Sequence, residues 1–198
     1  MIRLSRLSVA LLALNLAAAG CTSRPTSAAH VAKQPVRVAA DTNAFSVYEL
    51  GGSWRDQSGA ARSLARWQGK PVLLAMIYTH CTATCPLAVS ELKRIAAIDP
   101  DVRFVLVSLD PARDDASRLA AYAAERGLDS ARWTLLTASD SDVRDLAATL
   151  GVRYRQVTPD DLAHTNLITL LDQEGRIARQ SSGRMDDDAI AALHAIAR

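Results

Sequence analysis

The sequence predicts an α/β domain, a mixed and largely parallel sheet with helices on both faces. Three observations carry that expectation. From Phe45 onward, short apolar runs alternate with stretches whose apolar residues recur at helical spacing, the pattern of alternating strands and helices. Residues 72–78, Val-Leu-Leu-Ala-Met-Ile-Tyr, are continuously apolar, as in a strand covered on both faces. Glycines and prolines fall between these stretches, at Gly51-Gly52, Gly69-Lys70-Pro71, Gly127, Gly151 and Gly175.

The elements follow in order. Gly51-Gly52 and Asp56-Gln57-Ser58-Gly59 flank Trp54 and predict an N-terminal hairpin. The strand over 72–78 leads into a helix over 86–98, with Leu87, Leu92, Ile95 and Ile98 at helical spacing and Pro86 suited to the first turn. Residues 102–109 form a second buried strand. Asp114 or Asp115 caps a helix bearing Leu119 and Tyr122, which Gly127 ends. A short strand covers 133–137. Ser139, with Asp142 three residues on, resembles a capping signal for a helix bearing Val143, Leu146 and Leu150, stopped by Gly151. Residues 152–157 read as an edge strand. Residues 166–171 and 176–180 form a hairpin through Asp172-Gln173-Glu174-Gly175, and a last helix starts near Asp186, with Ile190, Leu193 and Ala197 on one face.

The chain of 198 residues suits one domain with a short appendage. With 49% hydrophobic and 22% charged residues it has a globular composition. Its three cysteines, Cys21, Cys81 and Cys85, are too few for a disulfide scaffold or a four-cysteine zinc site. A formal net charge of +2 gives no reason to expect nucleic acid as a partner. Neither a G-x-G-x-x-G segment nor a P-loop is present, so nucleotide binding has no support.

Residues 1–20 read as an export signal. Arg3 and Arg6 precede an apolar stretch over 7–19, interrupted by Ser8 and Asn15. That stretch is shorter than the roughly 20 apolar residues of a membrane-spanning helix. Ala18-Ala19-Gly20-Cys21 resembles a bacterial lipobox, with Ala18 where the best examples carry Leu. The resemblance implies a lipidated Cys21 as the mature N-terminus. The other reading is ordinary cleavage near residues 17–19, which leaves Cys21 a plain thiol. In either case the protein is exported to the cell envelope, and lipidation would hold it at the membrane, facing the periplasm. Residues 21–44, rich in Ser, Thr, Ala and Pro, form a tether, and 45–198 form the domain. The positive charges belong to the signal and tether: from Asp41 onward 18 basic residues face 21 acidic ones, a net of −3.

Cys81-Thr82-Ala83-Thr84-Cys85-Pro86 follows the first buried strand and opens the helix. Backbone N–H groups and the dipole at a helix N-terminus stabilise a thiolate, so both cysteines are expected to have lowered pKa values. The strand end also puts them at the carboxyl edge of the sheet, where open α/β folds bind ligands. Three uses of the pair stand open: a redox dithiol, two ligands for a soft metal ion, or a structural disulfide closing a very short loop. The thioredoxin motif has two residues between its cysteines and this pair has three. A metal site needs a third ligand, from His30 in the tether, His80 beside Cys81, His164 in a polar loop, or His194 on the last helix.

The run Gly69-Lys70-Pro71 and then Tyr78-Thr79-His80-Cys81-Thr82-Ala83-Thr84-Cys85-Pro86 resembles the Sco/SenC family of copper chaperones. Ser108-Leu109-Asp110-Pro111-Ala112-Arg113-Asp114 resembles that family's S-x-D-P-x-x-D segment, and Trp133-Thr134-Leu135-Leu136-Thr137 and Leu150-Gly151-Val152 match in order. The resemblance covers residues 51–198. It implies a thioredoxin-like fold with an added N-terminal hairpin, and copper bound by Cys81, Cys85 and His164. Two thiolates and one imidazole suit Cu(I), and hold Cu(II) with a further weak ligand. Copper would bind only the reduced pair, so oxidation to a disulfide would release it. Asp110, at the end of the second strand, is a candidate to orient His164 or to receive a partner's lysine; otherwise it is a turn residue before Pro111.

The resemblance implies a metallochaperone that hands one copper ion to cytochrome c oxidase, at the dinuclear centre of subunit II. Other periplasmic copper carriers and thiol reductases would be further partners. The alternative is an enzyme, a thiol–disulfide oxidoreductase in which Cys81 and Cys85 keep the oxidase's copper-site cysteines reduced. A peroxidase of the wider thioredoxin group is a weaker third reading, since Thr82 and Thr84 between the cysteines are not peroxidatic surroundings.

Overall fold

Alternation of side chains along a fully apolar strand forces it to be covered twice, and the central strand of this protein is built that way. The structure is a computed structural model that describes residues 45–196. The export signal and tether expected over residues 1–44, with Cys21 and His30, lie outside the described residues.

A single 3-10 turn, Val47–Glu49, precedes the hairpin of β1 (Trp54–Asp56) and β2 (Ala61–Arg62). A second turn, Leu64–Trp67, leads to β3 (Val72–Ile77), α1 (Cys85–Ala96), β4 (Arg103–Ser108), α2 (Ala116–Glu125), β5 (Trp133–Thr137) and α3 (Asp140–Thr149). Then come β6 (Tyr154–Thr158), β7 (Asp161–His164), β8 (Leu167–Leu171), β9 (Ile177–Ser182) and α4 (Asp187–Ile196). The main sheet has the order β2-β1-β5-β4-β3-β8-β9. Strands β3, β4 and β5 are parallel, in the register Leu74↔Val105 and Val105↔Thr134. Strand β8 runs antiparallel to β3, and β1 antiparallel to β5.

Every residue of β3 is buried, and its two faces feed two cores. Leu73, Ala75 and Ile77 pack with Val89, Leu92 and Ile95 of α1, Leu119 and Tyr122 of α2, and Leu193 of α4. Val72, Leu74 and Met76 pack with Trp54, Leu64, Trp67, and Val143 and Leu146 of α3. Capping is local: Asp115 accepts from the Arg118 N–H at 2.8 Å, and Ser139 from the Asp142 N–H at 3.2 Å. Of the two candidate caps before α2, Asp115 is the one that serves.

The segment after α3 departs from expectation. The strand predicted over 152–157 is not an edge of the main sheet, whose edges are β2 and β9. It is β6, and it pairs with β7 in a separate two-stranded hairpin, in the register Tyr154↔His164. Residues 155–158 are all exposed, so β6 has no apolar stripe to lay against the sheet. No helix among the described residues is long and apolar enough to cross a membrane.

Candidate metal centre

The end of β3, the start of α1 and the end of β7 converge on one point. Cys81 lies in the loop after β3, Cys85 is the first residue of α1, and His164 is the last residue of β7. Cys81 Sγ, Cys85 Sγ and one ring nitrogen of His164 all lie within 4.8 Å of one another. Both thiols are free and buried, and His164 is half-buried. The polar loop predicted around His164 is therefore a strand, and its pairing brings the ring to the cysteines.

The loop geometry has a physical cause. Pro86 sits in the first turn of α1, and Thr84 at the N-cap makes no side-chain capping bond. The sulfur of Cys81 takes that place, accepting the Cys85 N–H at 3.3 Å. Thr84 Oγ1 is left facing the site, 3.4 Å from His164 Nε2 and 3.9 Å from Cys81 Sγ. Cys85 Sγ lies 3.4 Å from His164 Nε2. On the far side of the ring, Nδ1 is 3.2 Å from the Thr165 carbonyl oxygen. A carbonyl only accepts, so in the neutral ring Nδ1 carries the proton and Nε2 points its lone pair at the sulfurs.

The two thiols are unequal. Burial pushes the Cys81 thiol up, but hydrogen bonds from the Cys85 side chain and from the Cys85 and Ala83 N–H groups outweigh it and bring it down to about 6. Burial pushes the Cys85 thiol up, and its bond to the Cys81 sulfur pushes the same way. Of the two lowered pKa values expected, the structure supports the one at Cys81.

Several residues that the sequence did not mark as functional hold the site. Asp114 is fully buried: it accepts the Thr79 N–H at 3.0 Å, the Thr79 hydroxyl at 2.5 Å and the Ser108 hydroxyl at 2.6 Å. It thereby ties the ends of β3 and β4 to the start of α2. Tyr78 donates its hydroxyl to Asp161 Oδ1 at 2.6 Å, and its ring meets that of His164 edge-on at 5.8 Å. Burial, and then the Asp161 acceptor, push its phenol above the usual range, so it remains a donor. Asp114 and Tyr78 stood in quoted motifs; Asp161 had no local signal, because the hairpin that carries it was not foreseen.

The remaining candidates lie elsewhere. Asp110 does not orient His164: its carboxylate accepts from Arg113 Nε at 2.5 Å, and Arg113 reaches the Pro159 carbonyl at 3.0 Å. His80 is exposed, with Nδ1 3.9 Å from Asp114 Oδ1. His194 pairs with Asp99 at 3.6 Å on α4.

Comparisons with known proteins agree with this geometry. A family model described as SCO1/SenC matches residues 47–197. The SCO1 protein homolog of Bacillus subtilis is 25% identical over 138 residues, covering 66% of this chain and 72% of its own. The chain spans about half the length of the mouse mitochondrial SCO2 homolog that it also matches. Among solved structures, Bradyrhizobium japonicum ScoI with copper bound is 27% identical with a TM-score of 0.60, covering 73% of this chain and 96% of that one. BsSco, described as a member of the Sco family of cytochrome c oxidase assembly proteins, has a TM-score of 0.65 at 24% identity, covering 78% and 96%. The fold is the thioredoxin-like fold of those neighbours, with the added N-terminal hairpin.

Proposed function

This chain belongs to the SCO1/SenC family, and from that premise we propose that it is a copper metallochaperone. It binds one copper ion through Cys81, Cys85 and His164 and delivers it to the dinuclear copper centre of cytochrome c oxidase subunit II during assembly. The observation that carries the reading is the placement of two sulfurs and one imidazole nitrogen within 4.8 Å of one another. Soft thiolates select Cu(I), and the imidazole accommodates either oxidation state. Zinc fits less well, since its closed sites take four protein ligands. Oxidation by a partner disulfide, which takes up two electrons and is released as a dithiol, joins Cys81 to Cys85 and withdraws both sulfurs from the metal. Ligand loading is thus gated by redox state.

A second reading draws on the inequality of the thiols. An acidic Cys81 beside a buried, basic Cys85 is the pattern of an attacking and a resolving thiol. In that reading the Cys81 thiolate attacks a partner's disulfide, and Cys85 displaces the partner as a dithiol, leaving the Cys81–Cys85 disulfide. His164 separates the two. In the chaperone, His164→Ala weakens Cu(I) binding by at least about 100-fold, because losing a group that merely orients a ligand already costs about 10–100-fold. In the oxidoreductase, the same variant leaves metal binding unchanged and dithiol exchange intact. Chelator competition on the reduced protein, with the oxidised protein as control, decides between them.

We also propose that lipidated Cys21 anchors the domain to the periplasmic face of a membrane through the tether. Cys21→Ser then moves the protein from the membrane to the soluble fraction; unchanged membrane retention refutes the anchor.

A further inference from the structure

The hairpin of β6 and β7 shares no ladder with the main sheet, yet it carries one of the three donors. The other two follow directly from β3. Leu162 and Tyr154 pack the hairpin against the cores, and one buried side chain of the sheet adds a polar contact to it. Tyr78 comes straight after β3, three residues before Cys81, and is 3% exposed. Its hydroxyl donates to Asp161 Oδ1 at 2.6 Å and lies 3.2 Å from the Leu162 carbonyl oxygen. Both partners are on β7. The register Gln156↔Leu162 and Tyr154↔His164 puts Leu162 and His164 on one face of the hairpin. Holding the strand at Leu162 therefore sets the direction of His164, and the Tyr78 ring meets the imidazole edge-on at 80°.

We propose that Tyr78 is a positioning residue, a latch from the central strand to the hairpin that keeps His164 over the cysteine pair; the inference rests on the reading of His164 as a copper ligand. The phenol's ring belongs to the core, and a phenylalanine would fill the same space. The ring's edge-on contact with His164 would survive in phenylalanine, and only the hydroxyl makes hydrogen bonds to the hairpin. Another polar tie, Arg113 to the Pro159 carbonyl and to Asp160, ends on a carboxylate that is 94% exposed and is screened by water. Asp161 is exposed too, but the Tyr78 hydroxyl that donates to it belongs to a buried residue, so this bond is shielded at its donor end and the Arg113 tie to Asp160 is not. When the latch opens, only the fraction of molecules with His164 in place binds with full affinity, so the apparent affinity falls in proportion.

The test uses Tyr78→Phe, Asp161→Ala and Asp161→Asn, with two readouts on purified reduced protein. One is the Cu(I) dissociation constant by chelator competition. The other, taken without metal, is amide hydrogen exchange over residues 161–164. Tyr78→Phe and Asp161→Ala are expected to weaken Cu(I) binding about tenfold, the worth of one hydrogen bond to a charged group. Asp161→Asn, whose side-chain carbonyl still accepts, is expected to lose less. Exchange over 161–164 is expected to quicken in Tyr78→Phe while that of β3 and β4 stays unchanged. In a His164→Ala background, Tyr78→Phe is expected to cost nothing further. Wild-type affinity and exchange in Tyr78→Phe would overturn the latch, as would an equal loss with His164 absent, since that would place the effect at the cysteines. If the wild-type protein takes up no copper, the functional reading fails, and the exchange measurement still decides the latch.

Discussion

Asp114 gives the sharpest test of how the cysteine loop is held. Its carboxylate has no contact with solvent and accepts three hydrogen bonds, two from Thr79 and one from Ser108. In Asp114→Ala the Thr79 N–H has nowhere to turn, and an unpaired buried donor costs about 1–3 kcal/mol. The two hydroxyls can rotate, so each loses about the 0.5–1.5 kcal/mol of an ordinary bond. The total is about 4 kcal/mol. For a domain of this size that lowers Tm by about 8–16 °C, at roughly 2–4 °C per kcal/mol. Asp114→Asn keeps an acceptor for the N–H and is expected to lose about half as much. The assay is urea denaturation of metal-free, reduced protein, because bound metal would add stability by linkage. A midpoint for Asp114→Ala within about 1 kcal/mol of wild type, at an unchanged denaturant slope, would refute the view that this carboxylate knots β3, β4 and α2 together.

Other predictions follow from single features. Cys81, brought down to about 6, is mostly thiolate at neutral pH, and the thiolate is the nucleophile. Alkylation of the metal-free reduced protein by iodoacetamide is expected to rise with pH to half its maximum near 6, with Cys85 lagging. A single midpoint near an ordinary thiol pKa of about 8.5 would contradict the hydrogen bonds assigned to Cys81. Gly175 has φ +81°, and a Cβ there would stand 2.5 Å from Tyr48 Cγ and 2.8 Å from Ser46 Oγ. Gly175→Ala is therefore expected to destabilise by about 2–4 kcal/mol, from left-handed strain and overpacking together. Thermal unfolding checks this, and an unchanged midpoint would refute both the strain and the overpacking assigned to this position.

The sheet and helices were legible because their determinants are local. Val72 to Ile77 has no polar residue to place at a surface, so it could only be a central strand. Ser139 and Asp115 cap the helices that directly follow them. The segment after α3 was misplaced for an equally physical reason. Tyr154 and Val157 lend it strand propensity, but strand propensity does not say which neighbour a strand will pair with. Its exposed residues gave no face to bury against β9 or β2, and β7, which starts three positions after β6 ends, closes the nearest available ladder.

The site divides along the same line. The cysteine pair was legible because both sulfurs are placed by one strand end and one helix start, separated by three residues. His164 was reached through resemblance, since the contact that matters spans 79 residues and no local pattern encodes it. The residues that hold the site were hidden more deeply. Asp114 reads locally as a helix cap, and Asp115 fills that role, which frees Asp114 for the interior. Tyr78 reads locally as the last apolar residue of a strand, and its ring does satisfy that reading. Its hydroxyl satisfies a different one, 83 residues away on Asp161. A side chain with an apolar body and a polar tip can serve the core and a distant hairpin at once. Propensity and periodicity register only the first of these. The geometry of this centre is thus set where buried side chains carry one polar atom beyond what their own element requires.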